Sequence, residues 1–341
     1  MKHTSGLGSG AYTGFNRAGN PYMQGIARCI EYEVFDNKFR VTEFGGLPVT
    51  NYMANAIATL KYARDEKIDK IVEFGSGTGV STLEIAKRYP DSKIYCVEQS
   101  EGMISIARYK FNQGDGRNIL SETDNEQIIR YWQEFREKTR YYKENIVFVN
   151  SDFQEVDSNL IGSADLGISI QALHWPKNFG KTFEKLGEIL GVGKKILWNT
   201  ASHFFEDEKY PTLEHGFRYN DFMRWVFDEI SEKVPDMQAL EEILVPEYKY
   251  NLETLKKTTL ERGFETKQNG TFLLAIDLEV LIGDYGPALV SLACRDCRGI
   301  DAQQIESYYF DAVSETLGKE GALLDTQRKY EIIPIFESVR V

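Results

Sequence analysis

The chain is poor in cysteine, has no long apolar run and carries a deficit of positive charge, and each shortage removes a class of protein. Its four cysteines, Cys29, Cys96, Cys294 and Cys297, make no disulfide framework and fit a reducing compartment. The single pair Cys294 and Cys297 lacks the second pair that a structural zinc site wants, so no metal is expected. No segment approaches the roughly 20 consecutive apolar residues that span a bilayer. Met1 to Gly6 lead into glycines and polar residues rather than the apolar stretch of a signal peptide. A cytoplasmic protein without a membrane partner is therefore expected. Lys and Arg number 40 against 52 Asp and Glu, a net charge of −12. A field of that sign repels phosphate backbones, so a small molecule or a peptide is expected as substrate, not nucleic acid. Disorder is excluded by what is present, since 42% of the 341 residues are hydrophobic and 13% aromatic.

The organisation reads as alternating strands and helices. The first twenty residues are rich in Gly, Ser and Asn and read as a flexible arm carrying Tyr12 and Phe15. A helical pattern covers Pro48 to Asp65. The β-rich run Lys70 to Phe74 breaks into Gly75-Ser76-Gly77-Thr78-Gly79, and a helix follows from Val80 to Arg88. A second strand, Lys93 to Glu98, leads into a helix beginning near Ser100. Strand, glycine turn, helix, strand and helix in so short a span specify a right-handed βαβ unit and a parallel sheet. Residues 114–145 interrupt the rhythm with a charged insertion, read as a solvated helix from Gln127 to Lys143. Strands are expected at Asn145 to Asn150, Ala164 to Ile170 and Lys195 to Asn199, with a helix from Phe179 to Leu190 stopped by Gly191 and Gly193. Residues 201–250 are an aromatic interruption containing His203, Phe204, Phe205, Phe217, Tyr219, Phe222 and Trp225. A helix (Leu252 to Arg262), a strand (Thr271 to Ile282), a helix (Ala302 to Leu317) and a strand (Tyr330 to Phe336) complete the chain.

A glycine-rich turn between a strand and a helix lets backbone N–H groups approach a ligand closely. Spacing separates the ligand classes. A phosphate-binding P-loop needs Gly-x-x-x-x-Gly-Lys-Ser/Thr, and no lysine lies between Phe74 and Lys87. A dinucleotide fingerprint needs glycine where Val80 stands. What remains, Glu73-Phe74-Gly75-Ser76-Gly77-Thr78-Gly79, resembles the first motif of the class I S-adenosylmethionine-dependent methyltransferases, an acid two residues before Gly-x-Gly-x-Gly. The likeness covers roughly residues 50–200 and is nearest to the small-molecule branch typified by the ubiquinone-biosynthesis and trans-aconitate methyltransferases.

That resemblance implies a doubly wound, Rossmann-like α/β fold around a seven-stranded sheet, mostly parallel with the last strand antiparallel, plus a helical and aromatic cap. It implies S-adenosylmethionine as cofactor, with Gly75, Ser76, Gly77 and Gly79 against its methionyl part and Glu73 near its amino group. Glu98 would accept both ribose hydroxyls, since a carboxylate offers the paired acceptors that a vicinal diol needs. Gln99 and Met103 open the helix beside the adenine, Asp152 and Phe153 follow the third strand as its adenine-contacting pair, and Gln171 opens the Ala-x-His-Trp ending of the catalytic mouth. Residues 1–47 are expected to be an arm and lid, and 48–341 the methyltransferase domain with insertions at 114–145 and 201–250.

Methyl transfer from a sulfonium asks the protein mainly to align the nucleophile and exclude water. His174 is the candidate base, because imidazole titrates near neutrality and follows the fourth strand. Tyr12, Phe15, Trp175, His203, Tyr219 and Trp225 are the candidate substrate contacts, and their aromatic character suits a partly apolar or aromatic acceptor. Phe222, Trp225 and Val226 also suit the core face of a plain amphipathic helix. The expected function is methyl transfer to oxygen, or nitrogen, of a small organic acceptor. The alternatives are a peptide or protein acceptor and a catalytically silent cofactor-binding regulator.

Overall fold

The computed structural model describes residues 26, 29–30, 33, 40–41, 49–63, 67–173, 178–200, 205–206, 219–239, 250–277, 290, 293–294, 297, 302–320 and 328–341. Its centre is one seven-stranded sheet: β1 (Lys70–Phe74), β2 (Lys93–Glu98), β3 (Ile146–Asn150), β4 (Ala164–Ser169), β5 (Leu190–Asn199), β6 (Phe264–Asp277) and β7 (Arg328–Arg340). The spatial order is β3-β2-β1-β4-β5-β7-β6. The first five strands are mutually parallel, while β7 lies between β5 and β6 and runs antiparallel to both. The order reverses between β1 and β4, which creates a switch point at the carboxyl edge beside the glycine turn.

Strands buried on both faces read as continuous apolar runs, and β1 does so, with Ile71 to Phe74 all buried. The pleat sends successive side chains to opposite faces. Ile71, Ile94, Cys96 and Leu197 enter one core beneath α1 (Asn51–Leu60), α2 (Val80–Arg88), α3 (Glu101–Lys110) and α4 (Glu126–Thr139). Val72, Phe74, Val97 and Trp198 enter the other, beneath α5 (Phe179–Ile189) and α7 (Leu252–Leu260). Between those two helices in sequence lies α6 (Tyr219–Ser231), which packs on α8 (Ala302–Glu320). Helix starts follow capping chemistry: Thr50, Ser100, Asn125 and Asn178 each accept a backbone N–H from the first turn of α1, α3, α4 and α5, and Asn251 forms a capping box with Thr254 at α7.

Three details depart from the sequence reading. The 114–145 helix is not wholly solvated, because Ile128, Trp132 and Phe135 form a buried face on α4. Strand β5 starts at Leu190, so Gly191 and Gly193 lie inside it rather than ending a helix, and its pairing with β4 shifts register between Ala164 and Leu166. Strand β6 begins at Phe264, ahead of a register shift between Gln268 and Gly270. The ends of the aromatic interruption meet: Phe205–Glu206 pairs in parallel with Tyr250–Asn251. Among the described residues no helix is long and apolar enough to cross a membrane.

Candidate active site

The glycine turn connects β1 to α2, and all three glycines are left-handed, with φ of 77° at Gly75, 52° at Gly77 and 84° at Gly79. Close approach and backbone conformation together require glycine at two of them. A Cβ on Gly75 would stand 2.2 Å from the Ala172 Cβ and 3.1 Å from the Phe153 ring, and one on Gly79 would stand 2.9 Å from the Phe111 ring. Gly77 differs, since its nearest neighbour would be the Met103 sulfur at 3.9 Å. Its outer side is open, as a backbone surface offered to a ligand should be. Gly77→Ala is therefore expected to cost the fold only about 1–2 kcal/mol in urea denaturation, the price of a left-handed alanine, while filling the space above the turn.

The turn is unsatisfied in two ways that fit a polar ligand. Helix α2 begins at Gly79 with no side-chain cap, so its first N–H groups are open. The Ser76 hydroxyl is buried without a hydrogen-bond partner, a state that normally costs free energy unless a partner arrives. Glu98 closes the other side. Its Oε2 accepts the Gly77 N–H at 3.1 Å and its Oε1 the Ser100 N–H at 2.9 Å. A carboxylate offers about four acceptor positions, so Glu98 keeps capacity beyond these bonds, and 8% of the residue is exposed. Burial holds the Glu98 carboxyl above the ordinary glutamate range, against the lowering effect of the backbone N–H groups of Ser100, Gly77 and Gln99.

Glu73, one residue before the end of β1, reaches the first turn of α2. It is fully buried, and its oxygens accept from Ser81 Oγ at 2.5 Å and Thr82 Oγ1 at 2.6 Å. Burial raises its carboxyl as well. Met103 is buried at the first turn of α3, whereas Gln99 is exposed. After β3, Asp152 is exposed and its Oδ1 accepts the Gln154 N–H at 2.8 Å. Phe153 is buried and stacks on Phe74 with ring centroids 5.4 Å apart. After β4, Gln171 holds a left-handed backbone at φ 54°, a conformation that strains a residue with a side chain. Asn199 at the end of β5 fastens it, its Oδ1 accepting the Gln171 N–H at 2.8 Å. The Asn199 amide nitrogen in turn donates to Thr59 Oγ1 at 2.8 Å and to Asn55 Oδ1 at 3.2 Å.

The expected cofactor positions therefore converge on the carboxyl edge of β1, β2, β3 and β4. Tyr12, Phe15, His174, Trp175 and His203 lie outside the described residues. Tyr219 starts α6, and Trp225 lies on that helix at 36% exposure while its neighbour Val226 is fully buried. Sequence reasoning missed Asn55 and Asn199, because a buried amide cluster has no spacing signature. It also missed Glu33, Thr78, Lys110 and Trp132, which meet behind the turn.

No family model matches the chain. It is 26% identical over 173 residues to a malonyl-[acyl-carrier protein] O-methyltransferase of Nitrosospira multiformis, covering 51% of this chain and 49% of that protein. The malonyl-[acyl-carrier protein] O-methyltransferase 1 of Ilyobacter polytropus is 25% identical over 188 residues, 54% of this chain and 58% of its own length. The carboxy-S-adenosyl-L-methionine synthase of Nautilia profundicola is 26% identical over 217 residues, 60% of this chain and 76% of that protein. The chain spans about half the length of the methyltransferase relatives it matches. Among solved structures it is similar to the YcgJ protein of Bacillus subtilis, at 12% identity over 84% of this chain and 97% of that one, with a TM-score of 0.47. In its glycine turn and its strand order, and over about half its length in sequence, the chain is similar to S-adenosylmethionine-dependent methyltransferases.

Proposed function

We propose that this chain transfers a methyl group from S-adenosylmethionine to an oxygen, or a nitrogen, of a small, partly apolar or aromatic organic acceptor. The observation that carries the reading is the hydrogen bond from Gly77 N–H to Glu98. It joins the glycine turn and the strand-end acid into one site at the switch point, where open α/β sheets bind ligands. The relatives named as O-methyltransferases favour oxygen over nitrogen. Because their names specify an acyl group on a carrier protein, a protein-tethered acyl acceptor is the second reading.

Bound at this edge, the sulfonium would supply an electrophilic methyl for in-line displacement. The chain's own residues then divide the work. Glu98 would receive the ribose diol, Ser76 Oγ and the open N–H groups of α2 would meet the methionyl end, and Met103 and Phe153 would wall the adenine. Gln99, Asp152 and Gln171 line the rim, while Glu73 braces the turn from behind through Ser81 and Thr82. Tyr12, Phe15, Trp175 and His203, which lie outside the described residues, would contact the acceptor together with Tyr219 and Trp225 of α6. His174 takes the proton when the acceptor is a hydroxyl or amine; a carboxylate acceptor needs no base.

Incubation with methyl-tritiated S-adenosylmethionine and fractionated metabolite pools tests the assignment. Label entering an organic-extractable small molecule supports it, and label found only on protein favours the tethered acceptor. A pH dependence follows from Glu98. Its carboxyl titrates above the ordinary range in the free protein, and a diol favours the ionised form, lowering that pKa on binding. Affinity for S-adenosylhomocysteine should therefore rise as pH climbs through the free-state pKa, with proton release, and level off above it. Calorimetry in two buffers of different ionisation enthalpy measures the released proton, and Glu98→Gln should abolish it.

A further inference from the structure

Behind the glycine turn lies a buried ionic cluster that no step above uses. Glu33 is 2% exposed and Lys110 fully buried, with Lys110 Nζ 2.5 Å from Glu33 Oε1. Trp132 Nε1 donates to Glu33 Oε2 at 2.5 Å, and Thr78 Oγ1 donates to Glu33 Oε1. Three other parts of the chain meet at this one carboxylate of the N-terminal segment: α3 through Lys110, the insertion helix α4 through Trp132 and the glycine turn through Thr78. Ile26, Cys29, Ile30 and Glu33 are all helical and fall at i, i+3, i+4 and i+7, which places them on one helix face. That face packs with Met103, Ile106 and Trp132, and Cys29 Sγ lies 3.6 Å from Ser100 Oγ, the cap of α3.

Burying a charge pair is costly and is often no better for stability than apolar packing, so its location calls for a reason. Thr78 stands between Gly77 and Gly79, both left-handed and both in a residue type with the largest backbone freedom to lose. A side-chain anchor on the residue between them removes that freedom before a ligand arrives, which is how preorganisation raises affinity.

We propose that Glu33 is a positioning residue for the glycine turn, holding Thr78 so that the 75–79 backbone is set for the cofactor, and that the 114–145 insertion exists to hold Glu33 in place through Trp132. The inference rests on the cofactor reading above for its purpose, but the anchoring itself is measurable without ligand.

The test uses the 341-residue chain, amide hydrogen exchange over 75–79, and calorimetry with S-adenosylhomocysteine. Thr78→Val removes the hydroxyl while leaving the buried charges paired, so it keeps the test decisive even should Glu33→Ala fail to fold. Thr78→Val should speed exchange at the turn by roughly tenfold without ligand, leave β5 unchanged, and weaken S-adenosylhomocysteine binding by roughly tenfold. Glu33→Ala and the double variant should bind no more weakly than Thr78→Val within about threefold, as expected of residues acting through one bond. The paired variant E33Q/K110M, which keeps an acceptor for Thr78 without the charges, should restore affinity to within about threefold of wild type. Unchanged exchange at the turn in Thr78→Val overturns the proposal, as do Thr78 and Glu33 effects on affinity that multiply. If the wild-type chain gives no heat with S-adenosylhomocysteine, the cofactor reading fails separately, and the exchange rates alone decide the anchor.

Discussion

Glu98→Ala is expected to weaken S-adenosylhomocysteine binding by about 10- to 150-fold, equivalent to roughly 1.5–3 kcal/mol for a charged hydrogen-bond acceptor. Two losses combine in that figure. The ribose diol loses its paired acceptor, and the amides of Gly77 and Ser100 lose the carboxylate that orients them. The fold should suffer less than the site. Burial holds the Glu98 carboxyl high, with Glu73 adding like-charge repulsion, so ionising it at neutral pH works against folding. A group with a raised folded-state pKa contributes stability below its unfolded pKa and loses it as pH rises through the folded value. Alanine therefore removes a neutral-pH liability together with two hydrogen bonds. Calorimetry at pH 7 alongside a urea melt separates the effects, and wild-type affinity in Glu98→Ala would remove this residue from the site.

The second large effect is on the fold. Gly75→Ala should lower stability by about 2–5 kcal/mol, the sum of a left-handed alanine and an overpacked contact. The new methyl would overlap the Ala172 Cβ at 2.2 Å. That atom is fixed to the backbone just after β4 and cannot swing away. Phe153, at 3.1 Å on the other side, is itself held by its stack on Phe74. The contrast with Gly77→Ala, open above the turn, is the informative comparison. The first should fail mainly as a folding variant and the second mainly as a binding variant. Equal denaturation midpoints for the two would contradict the geometry of the turn.

Much of this was legible in the residues because local rules and the global fold agree. The run Lys70 to Phe74 follows from strand burial and the three glycines from positive φ, while Glu98 stood out through the family resemblance, and the structure brings it to the turn. Where competing signals met, the reading slipped. Gly191 and Gly193 suggested a helix stop, yet extended pairing with β4 carries both into β5. The polar stretch after Phe264 hid the start of β6, whose pairing with β7 tolerates a register shift at Gly270. In α4 the charged residues dominated the composition, while Ile128, Trp132 and Phe135 formed the buried stripe. The clusters around Asn199 and Glu33 were invisible because they join residues far apart in sequence, and nothing in a pattern of periods or motifs brings Glu33 to Thr78.

The proposed site for an adenosyl sulfur ligand lies at the carboxyl ends of β1 and β2, where the Gly77 N–H meets Glu98. Titrating the 341-residue chain with S-adenosylhomocysteine, and with NADH as the comparison, tests it most directly. Saturable one-to-one binding of the sulfur nucleoside and no heat from NADH is the expected result. Silence with S-adenosylhomocysteine, or preference for the dinucleotide, would contradict it.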